Sequence, residues 1–386
     1  MDRRDFIKTG LVASAGTFTL GRSLLRGVAE GHHPTLTPGN GPYGPLGPTD
    51  ANLVRLPSGF SSRIVAQSGR PVGLTPYPWH IYPDGGATFA TPDGGWIYVS
   101  NSEVPGAGGA GAIRFDAAGA IVDAYPILRG TSSNCAGGPT PWGTWLSCEE
   151  YTAGLVWECD PTGFQPAQVR PALGMFSHEA AAVDPDLGHV YLTEDASAGG
   201  FYRFTPDAKG DLSSGLLAIA SVGTSGFVDW LPIENPTPVP FVETQTSRQQ
   251  PAATPFDGGE GCWFDVPRRL VYFATKGDNK IWEYDPDSGI LTVVHDRLVV
   301  AGSPLSGVDN VTVAQNGDLF ICEDGGTMEI VIITPDGQIA PFLRVDHSGS
   351  EIAGAAFSPD GSRLYFSSQR GYRTGVTFEV TGSFRS

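Results

Sequence analysis

The chain has 386 residues and a formal net charge of −17. A strongly acidic chain repels phosphate backbones, which excludes nucleic acid as a partner. The apolar run at residues 7–20 is too short and too broken to span a bilayer, which excludes stable membrane insertion. The 52 glycines and 32 prolines, with 40% hydrophobic residues, disfavour both long helices and disorder and predict many short strands joined by turns.

The N-terminal segment has the features of an export signal. A pair of arginines, Arg3 and Arg4, precedes two apolar residues, a lysine and a weakly apolar stretch, as in twin-arginine signals. We expect a signal peptide at residues 1–29, recognised by the twin-arginine translocation machinery, and a flexible Gly/Pro linker at residues 30–50. That route carries folded proteins, often with a bound cofactor. The segment therefore predicts a periplasmic or secreted protein.

After the linker, one hairpin pattern recurs six times. Each copy has a short apolar strand, a turn with Pro, Asp or Gly, and a second apolar strand that ends in a polar, usually acidic, cluster. The copies start at Gly86, Cys135, Glu179, Glu260, Asp309 and Glu351. Most intervals are about 45 residues, the period of β-propeller blades with four strands each.

The repeat predicts an all-β, six-bladed β-propeller that occupies residues 51–386 as a single domain. Residues 60–67 (FSSRIVAQ) are expected to supply the outer strand of the last blade and close the ring. The one long interval between copies predicts an insertion at about residues 210–258. A β-sandwich is the structural alternative, but it does not account for six matched hairpins.

An antiparallel hairpin places the start of its first strand beside the end of its second. Since the first strand of a propeller blade lies innermost, both sets of residues are expected at the mouth of the central channel. The ends of the second strands are acidic in five copies: Glu103, Glu149, Glu150, Glu194, Asp195, Asp278, Glu323 and Asp324. In the sixth copy they are replaced by Gln369 and Arg370.

Crowded carboxylates take up protons unless cations neutralise them, so this arrangement predicts a central metal site. Many oxygen ligands suit Ca²⁺, and the thiolate of Cys135 adds a softer ligand that favours a transition metal beside the calcium. The alternative is an acidic rim exposed to water. The other cysteines lie in apolar strands and are expected to pack in the core: Cys148, Cys159, Cys262 and Cys322.

Four segments carry a longer pattern: NCAGGPTPWGTWLSCEE at residues 134–150, FSHEAAAVDP at 176–185, VYLTEDASAGGFYRFTP at 190–206 and EGCWFD at 260–265. These segments resemble the PhoX-type alkaline phosphatases. The resemblance implies a six-bladed propeller with Fe³⁺ and Ca²⁺ at its centre, in which Cys135 bridges or ligates iron and Glu179 and Glu260 are neighbouring ligands. Repeat position adds further metal candidates: Glu150, Glu194, Asp195, Asp309, Glu323 and Glu351.

One departure from the family pattern concerns phosphate binding. The family has an arginine just before the glutamate equivalent to Glu260, where this chain has Gly258 and Gly259. An arginine at that point acts as a bidentate clamp on phosphate. The available substitutes are Lys276, Arg370 and Arg373, of which Lys276 and Arg370 are the predicted catalytic residues.

The sequence therefore predicts a metal-dependent hydrolase of small-molecule phosphate esters. Two alternatives remain open. One is a calcium-dependent lactonase or phosphotriesterase-like propeller, which needs no phosphate clamp. The other is a non-catalytic, metal-stabilised propeller that binds a partner through its loops.

Overall fold

The computed structural model describes residues 33–385, so the expected signal peptide at residues 1–29 lies outside the described residues. Within residues 33–385, no helix reaches the length and apolarity that a membrane crossing requires. The short 3-10 turns of this part are η1 (Pro171–Leu173), η2 (Thr246–Arg248) and η3 (Gly371–Arg373). Its strands are, in chain order, β1 (Thr37–Pro38), β2 (Val54–Arg55), β3 (Ser61–Gln67), β4 (Pro83–Ala90), β5 (Trp96–Ser102), β6 (Gly108–Phe115), β7 (Ile121–Thr131), β8 (Asn134–Pro139), β9 (Trp145–Glu149), β10 (Val156–Cys159), β11 (Gln168–Val169), β12 (His178–Val183), β13 (Val190–Glu194), β14 (Phe201–Ala208), β15 (Asp211–Val222), β16 (Val228–Pro232), β17 (Gly259–Asp265), β18 (Leu270–Thr275), β19 (Lys280–Asp285), β20 (Ile290–Asp296), β21 (Val308–Val313), β22 (Leu319–Glu323), β23 (Glu329–Ile333), β24 (Gln338–Val345), β25 (Ile352–Phe357), β26 (Arg363–Ser368) and β27 (Val376–Thr381).

These strands form six sheets. β4 to β7 form the first sheet in sequence order, β8 to β11 the second, β12 to β16 the third and β17 to β20 the fourth. β21 to β24 form the fifth sheet, with β1 and β2 added to β24, and the sixth contains β25, β26, β27 and β3. The first strands of consecutive sheets contact one another around a closed ring: β4, β8, β12, β17, β21 and β25. The architecture is the predicted six-bladed β-propeller.

A strand from the N-terminal side of the described chain closes the ring. β3 is the outermost strand of the sixth sheet and pairs antiparallel with β27, so that Ser61 lies opposite Thr381. This pairing confirms the role expected for residues 60–67. Backbone hydrogen bonds thus join the two ends of the propeller.

Apolar side chains fill the spaces between neighbouring sheets. Between the third and fourth sheets, for example, Phe201 stacks on Phe273 with ring centroids 4.2 Å apart. Burying one such side chain stabilises the fold by about 1.5–3 kcal/mol. The four cysteines that were expected to pack are buried in these clusters as free thiols: Cys148, Cys159, Cys262 and Cys322.

Part of the segment expected to be a flexible linker is docked on the propeller. Thr37 and Pro38 form β1, which pairs parallel with β24 at the edge of the fifth sheet. Tyr43 packs against Phe60 and Phe342, with ring centroids 5.2 and 5.4 Å apart. An open sheet edge and an aromatic surface therefore hold this Gly/Pro-rich stretch in place.

The segment expected to be an insertion begins inside the third sheet. β15 pairs with β14, and β16 pairs with β15, so both strands belong to the blade itself. Trp230 of β16 donates a hydrogen bond to the hydroxyl of Tyr284 in the fourth sheet, at 3.1 Å. The additional segment is thus the irregular loop of residues 233–258, which lies beside the channel mouth described next.

Candidate metal centre

The inner strands share an irregularity at their first residues. In the first five sheets, the first residue of the inner strand pairs with the end of the second strand, and the register then shifts. A bulge of this kind re-aims a side chain. The second residues of these inner strands are Asp84, Cys135, Glu179, Glu260 and Asp309. In the sixth sheet, Glu351 directly precedes β25.

Glycines in the inner strands let neighbouring strands approach closely. A Cβ atom at Gly138 would collide with the carbonyl oxygen of Ala181 on the next inner strand, and one at Gly261 would collide with the backbone of Asn310. Only glycine fits at these positions. The narrow ring that results brings the bulged residues together at one end of the channel.

The residues that directly follow the second strands reach the same end of the channel. They come after β5, β9, β13, β18, β22 and β26, and they are Glu103, Glu150, Asp195, Lys276, Asp324 and Gln369. Four of these six residues are acids, and Lys276 is the one base among them. The channel end therefore combines two rings of polar side chains, one from each strand of the inner hairpins.

Three groups of side chains in these rings have the geometry of metal sites, with one potential ligand atom per residue within 4.8 Å of the others. We call Cys135, Glu150 and Glu179 the thiol cluster. The first carboxylate cluster is Glu179, Glu260 and Asp309, and the second is Asp84, Glu103 and Glu351. Glu179 belongs to two clusters, and its Oε1 accepts a hydrogen bond from the thiol of Cys135 at 3.3 Å.

Burial and mutual repulsion raise the pKa values of the second carboxylate cluster. Burial, followed by the charge of Glu103, raises the pKa of Asp84 from 3.8 to about 7. Burial, followed by the charge of Asp84, raises the pKa of Glu351 from 4.5 to about 8. Both acids therefore hold protons near neutral pH unless cations replace them.

Burial and neighbouring charges also raise the pKa values of residues in the thiol cluster and the first carboxylate cluster. Burial raises the pKa of Glu150 to about 8, with Asp195 as the next cause. Burial, followed by the charge of Glu260, raises the pKa of Glu179 well above its usual range. Burial, followed by the charge of Asp84, raises the pKa of the Cys135 thiol well above its usual range. The thiol therefore becomes a thiolate only when a metal ion displaces its proton.

Two basic side chains lie at the same end of the channel. Nζ of Lys276 is 2.7 Å from Oε1 of Glu260 and 2.9 Å from Oδ2 of Asp195. Nη1 of Arg370 is 2.9 Å from Oε2 of Glu351. The side chains of Lys276 and Arg370 are 42% and 44% exposed, so both can meet a solute that enters the mouth.

Gln369 links the second carboxylate cluster internally. Its Nε2 donates hydrogen bonds to Oδ2 of Asp84 and Oε2 of Glu103, both at 2.6 Å. Its Oε1 is buried without a hydrogen-bond partner among residues 33–385. Carboxylate and amide oxygens are the ligands that Ca²⁺ prefers, so the donor set of this cluster fits a calcium ion.

The structure brings most of the predicted ligands together. The clusters contain Cys135, Glu150, Glu179, Glu260, Asp309 and Glu351, and Asp195 lies beside them, paired with Lys276. Glu194 and Glu323 do not join a cluster within the described chain. Glu194 accepts hydrogen bonds from the Tyr202 hydroxyl at 2.6 Å and from the Gly200 N–H at 2.9 Å.

The carboxylate of Glu323, like that of Glu194, accepts hydrogen bonds from neighbouring segments. It accepts hydrogen bonds from the N–H groups of Ser306 at 2.8 Å and Glu329 at 3.2 Å. Both glutamates are the last residues of their strands, and they hold the adjoining loops instead of reaching the channel.

The sequence pattern missed Asp84, and it placed Glu103 and Gln369 at the channel mouth without selecting either as a ligand. The hairpin pattern starts the first copy at Gly86, two residues beyond Asp84. The signal that identifies Asp84 is the match between DGG at residues 84–86 and CAGG at residues 135–138. Aligning Gly86 with Gly137, the residues at which pairing resumes after the register shift in β4 and β8, places Asp84 opposite Cys135.

The histidines near the centre are neutral. Burial lowers the pKa of His178 to about 3, and its Nε2 lies 3.0 Å from the carbonyl oxygen of Gly174. Burial also lowers the pKa of His80 to about 3. Neither imidazole therefore supplies positive charge to the channel mouth.

Fold and site together define a class of protein: a β-propeller whose channel end offers carboxylate and thiol ligands for several cations, with two exposed bases for an anion. The family model described as Alkaline phosphatase PhoX matches residues 105–158 and 151–371. The chain belongs to this family and is a PhoX-type phosphatase, a phosphoric ester hydrolase. Family membership implies metal cofactors, and the acidic clusters can bind metal.

Solved structures share the fold. The structure of Pseudomonas fluorescens PhoX in complex with vanadate, a transition-state analogue, matches with a TM-score of 0.70 and 17% identity, covering 86% of this chain and 96% of that one. The Xanthomonas campestris gluconolactonase XC5397 matches with a TM-score of 0.52 and 14% identity, covering 89% of this chain and 98% of that one. No curated protein matches the sequence.

Proposed function

We propose that this phosphatase hydrolyses small-molecule phosphate esters at the end of the channel where the three clusters meet Lys276 and Arg370. The observation that carries the proposal is the position of Lys276. It is the one base in a ring of strand-end residues, and it lies 2.7 Å from Glu260 of the first carboxylate cluster. A phosphate bound by this lysine would therefore lie against the metal ligands.

We assign the metals by donor chemistry. The thiol cluster combines a sulfur with two carboxylates and suits a transition metal, because thiolate is a soft ligand that Ca²⁺ does not favour. The resemblance to the PhoX-type phosphatases implies that this metal is Fe³⁺. The two carboxylate clusters offer only oxygen and suit Ca²⁺. When bound, these ions supply positive charge for the phosphoryl oxygens and for the attacking oxygen of water.

The chain's own residues bind and orient the substrate. Lys276 and Arg370 donate hydrogen bonds to the non-bridging phosphoryl oxygens, while Asp195 and Glu351 hold these bases at the mouth. Hydrolysis then breaks the ester P–O bond, forms a P–O bond to the water oxygen and returns a proton to the departing alcohol. A chain with a net charge of −17 needs such fixed cations to admit an anion.

Lys276 replaces the arginine of the family pattern. Gly258 has a φ of +68°, and a Cβ atom there would lie 3.0 Å from Cγ of Lys276 and 3.4 Å from Oδ1 of Asp195. The lysine side chain thus occupies the space beside this glycine. A compact ammonium group provides the charge of a guanidinium without its bidentate geometry.

Export by the twin-arginine route is part of the proposal. Arg3 and Arg4, with the apolar stretch that follows, support recognition by the translocation machinery and a periplasmic or secreted location. Because that route carries folded protein, the metal centre would be assembled before export.

The test combines elemental analysis with hydrolysis of p-nitrophenyl phosphate by the metal-loaded protein. We expect calcium and iron in the wild type, and for Lys276→Met a KM at least about tenfold higher with unchanged metal content. Lys209→Met is the matched control, because this lysine is exposed on another loop. If Lys276→Met keeps the wild-type KM, Lys276 does not bind the phosphate.

The same assay also tests the two alternatives that the sequence alone left open. Calcium without iron, together with hydrolysis of gluconolactone or a phosphotriester and none of the phosphate monoester, would identify a lactonase-like propeller. A metal-loaded protein that hydrolyses none of these substrates would identify a binding propeller.

A further inference from the structure

A pocket of about 320 Å³ opens beside the metal centre. It lies between the ends of the second and third blades and the loop of residues 233–258. Its apolar lining includes Tyr151, Met175, Phe176 and Val239, and the turn at Ala198 forms part of its rim. Its volume is at the lower end of the range for small-molecule sites, about 300–1,000 Å³.

The pocket adjoins the proposed phosphate site through Asp195. Asp195 lines the pocket, and its Oδ2 is 2.9 Å from Nζ of Lys276. Tyr151, also in the lining, directly follows Glu150 of the thiol cluster. An ester whose phosphoryl group is bound at Lys276 therefore has this pocket within reach of its alcohol part.

Hydrogen bonds hold the pocket wall in place. The N–H of Met175 donates to the carbonyl oxygen of Pro236 at 2.7 Å, and Oγ1 of Thr246 donates to the carbonyl oxygen of Met175 at 2.8 Å. Within the loop, Oε2 of Glu243 accepts from the N–H of Val239 at 2.7 Å. These hydrogen bonds attach the pocket wall to the third blade and fix its shape.

The charges of the lining select the kind of group that fits. Acids outnumber bases, because Glu194, Asp195 and Glu243 line the pocket with Arg248 as the one base. A second anionic group on a substrate would meet net negative charge there. The aromatic and aliphatic side chains favour an uncharged, largely apolar group instead.

We propose that this pocket binds the alcohol part of the phosphate ester and that the preferred substrates are monoesters of uncharged aromatic or aliphatic alcohols. The inference rests on the proposed function for the position of the phosphoryl group. It assigns substrate preference to the loop of residues 233–258 and the Ala198 turn, which hold no proposed metal ligand.

The test fills the pocket without touching the metal centre. Ala198 is exposed on the pocket rim, so Ala198→Trp should fold, which its melting temperature verifies. We expect the KM for phenyl phosphate to rise about tenfold, while the KM for methyl phosphate stays unchanged because methyl does not reach the pocket. Ser214→Trp, an exposed position in β15 outside the lining, should change neither value.

A binding measurement separates this inference from the proposed function. Saturation-transfer NMR with phenylphosphonate on the metal-loaded protein should show ring contact in the wild type and much less in Ala198→Trp. If the wild type hydrolyses neither ester but the substitution still reduces ring contact, the proposed phosphate site at Lys276 is wrong, whereas the pocket still binds the aromatic group. Equal KM changes for both esters, or unaltered ring contact in Ala198→Trp, would overturn the pocket as the site of the alcohol.

Discussion

Removal of the metals should reverse the pH dependence of stability. In the metal-free protein, the pKa of Asp84 rises from 3.8 to about 7, since burial and Glu103 oppose its charge. A raised pKa gives stability that is complete below 3.8 and is lost as the pH increases through 7. A shift of about three pKa units corresponds to about 4 kcal/mol, or about 5 °C in melting temperature for a domain of this size. Bound cations remove the repulsion, so the metal-loaded protein should instead lose stability as protons compete at low pH.

The measurement is thermal unfolding followed by circular dichroism at pH 5 and pH 8, before and after exhaustive chelation. Asp84→Asn is the matched variant, because its side-chain oxygen can still accept the hydrogen bond from Gln369 and it carries no charge. At pH 8 the metal-free variant should melt about 5 °C above the metal-free wild type, and the two should approach each other at pH 5. A metal-free wild type that melts at the same temperature as the variant at pH 8 would refute the repulsion argument and favour a solvated acidic rim.

Three further predictions concern single residues. Cys135→Ser should lower the iron content measured by elemental analysis and leave calcium in place, because a hydroxyl binds iron weakly, whereas the buried control Cys262→Ser should keep both metals. Glu323→Ala should lower the melting temperature by several degrees with unchanged metal content, since this carboxylate accepts two loop N–H groups; loss of calcium would contradict that role. Lys276→Arg should keep a KM for p-nitrophenyl phosphate near the wild-type value. Gly258→Arg should destabilise the protein, because residue 258 has a positive φ. If Gly258→Arg were the more active of the two variants, Lys276 would not be the replacement for the family's arginine.

The repeat made the fold predictable from local signals. Each hairpin carries its own apolar alternation and turn residues. A period in the forties indicates four-stranded propeller blades, and the six copies give the number of blades. The closing strand followed from the need to complete the sixth sheet, and β3 is found there. The docking of Tyr43 and the pairing of β1 had no such signal, because they depend on an edge and an aromatic surface that exist only in the assembled ring.

The candidate site was harder to predict because adjacent residues at a strand end point in opposite directions. Glu194 ends its strand and holds a loop, whereas Asp195 reaches the channel. Glu149 also accepts loop N–H groups, while its neighbour Glu150 lies in the thiol cluster. An acidic pair in the sequence does not show which member faces inward. The pairing register of the strands decides which member faces the channel. The bulges that set this register have no sequence pattern of their own.

The pairing of β3 with β27 has a consequence for when the metal centre can form. Ser61 and Thr381 are 320 positions apart, so their contact is made only after residue 381 has left the ribosome. Until then the sixth blade lacks its partner strand, and Glu351 has no fixed place beside Asp84. A contact of such long range is slow to form because the loop it closes carries a large entropy loss. The second carboxylate cluster is therefore completed only by ring closure, so binding of a cation there would report that the ring has closed.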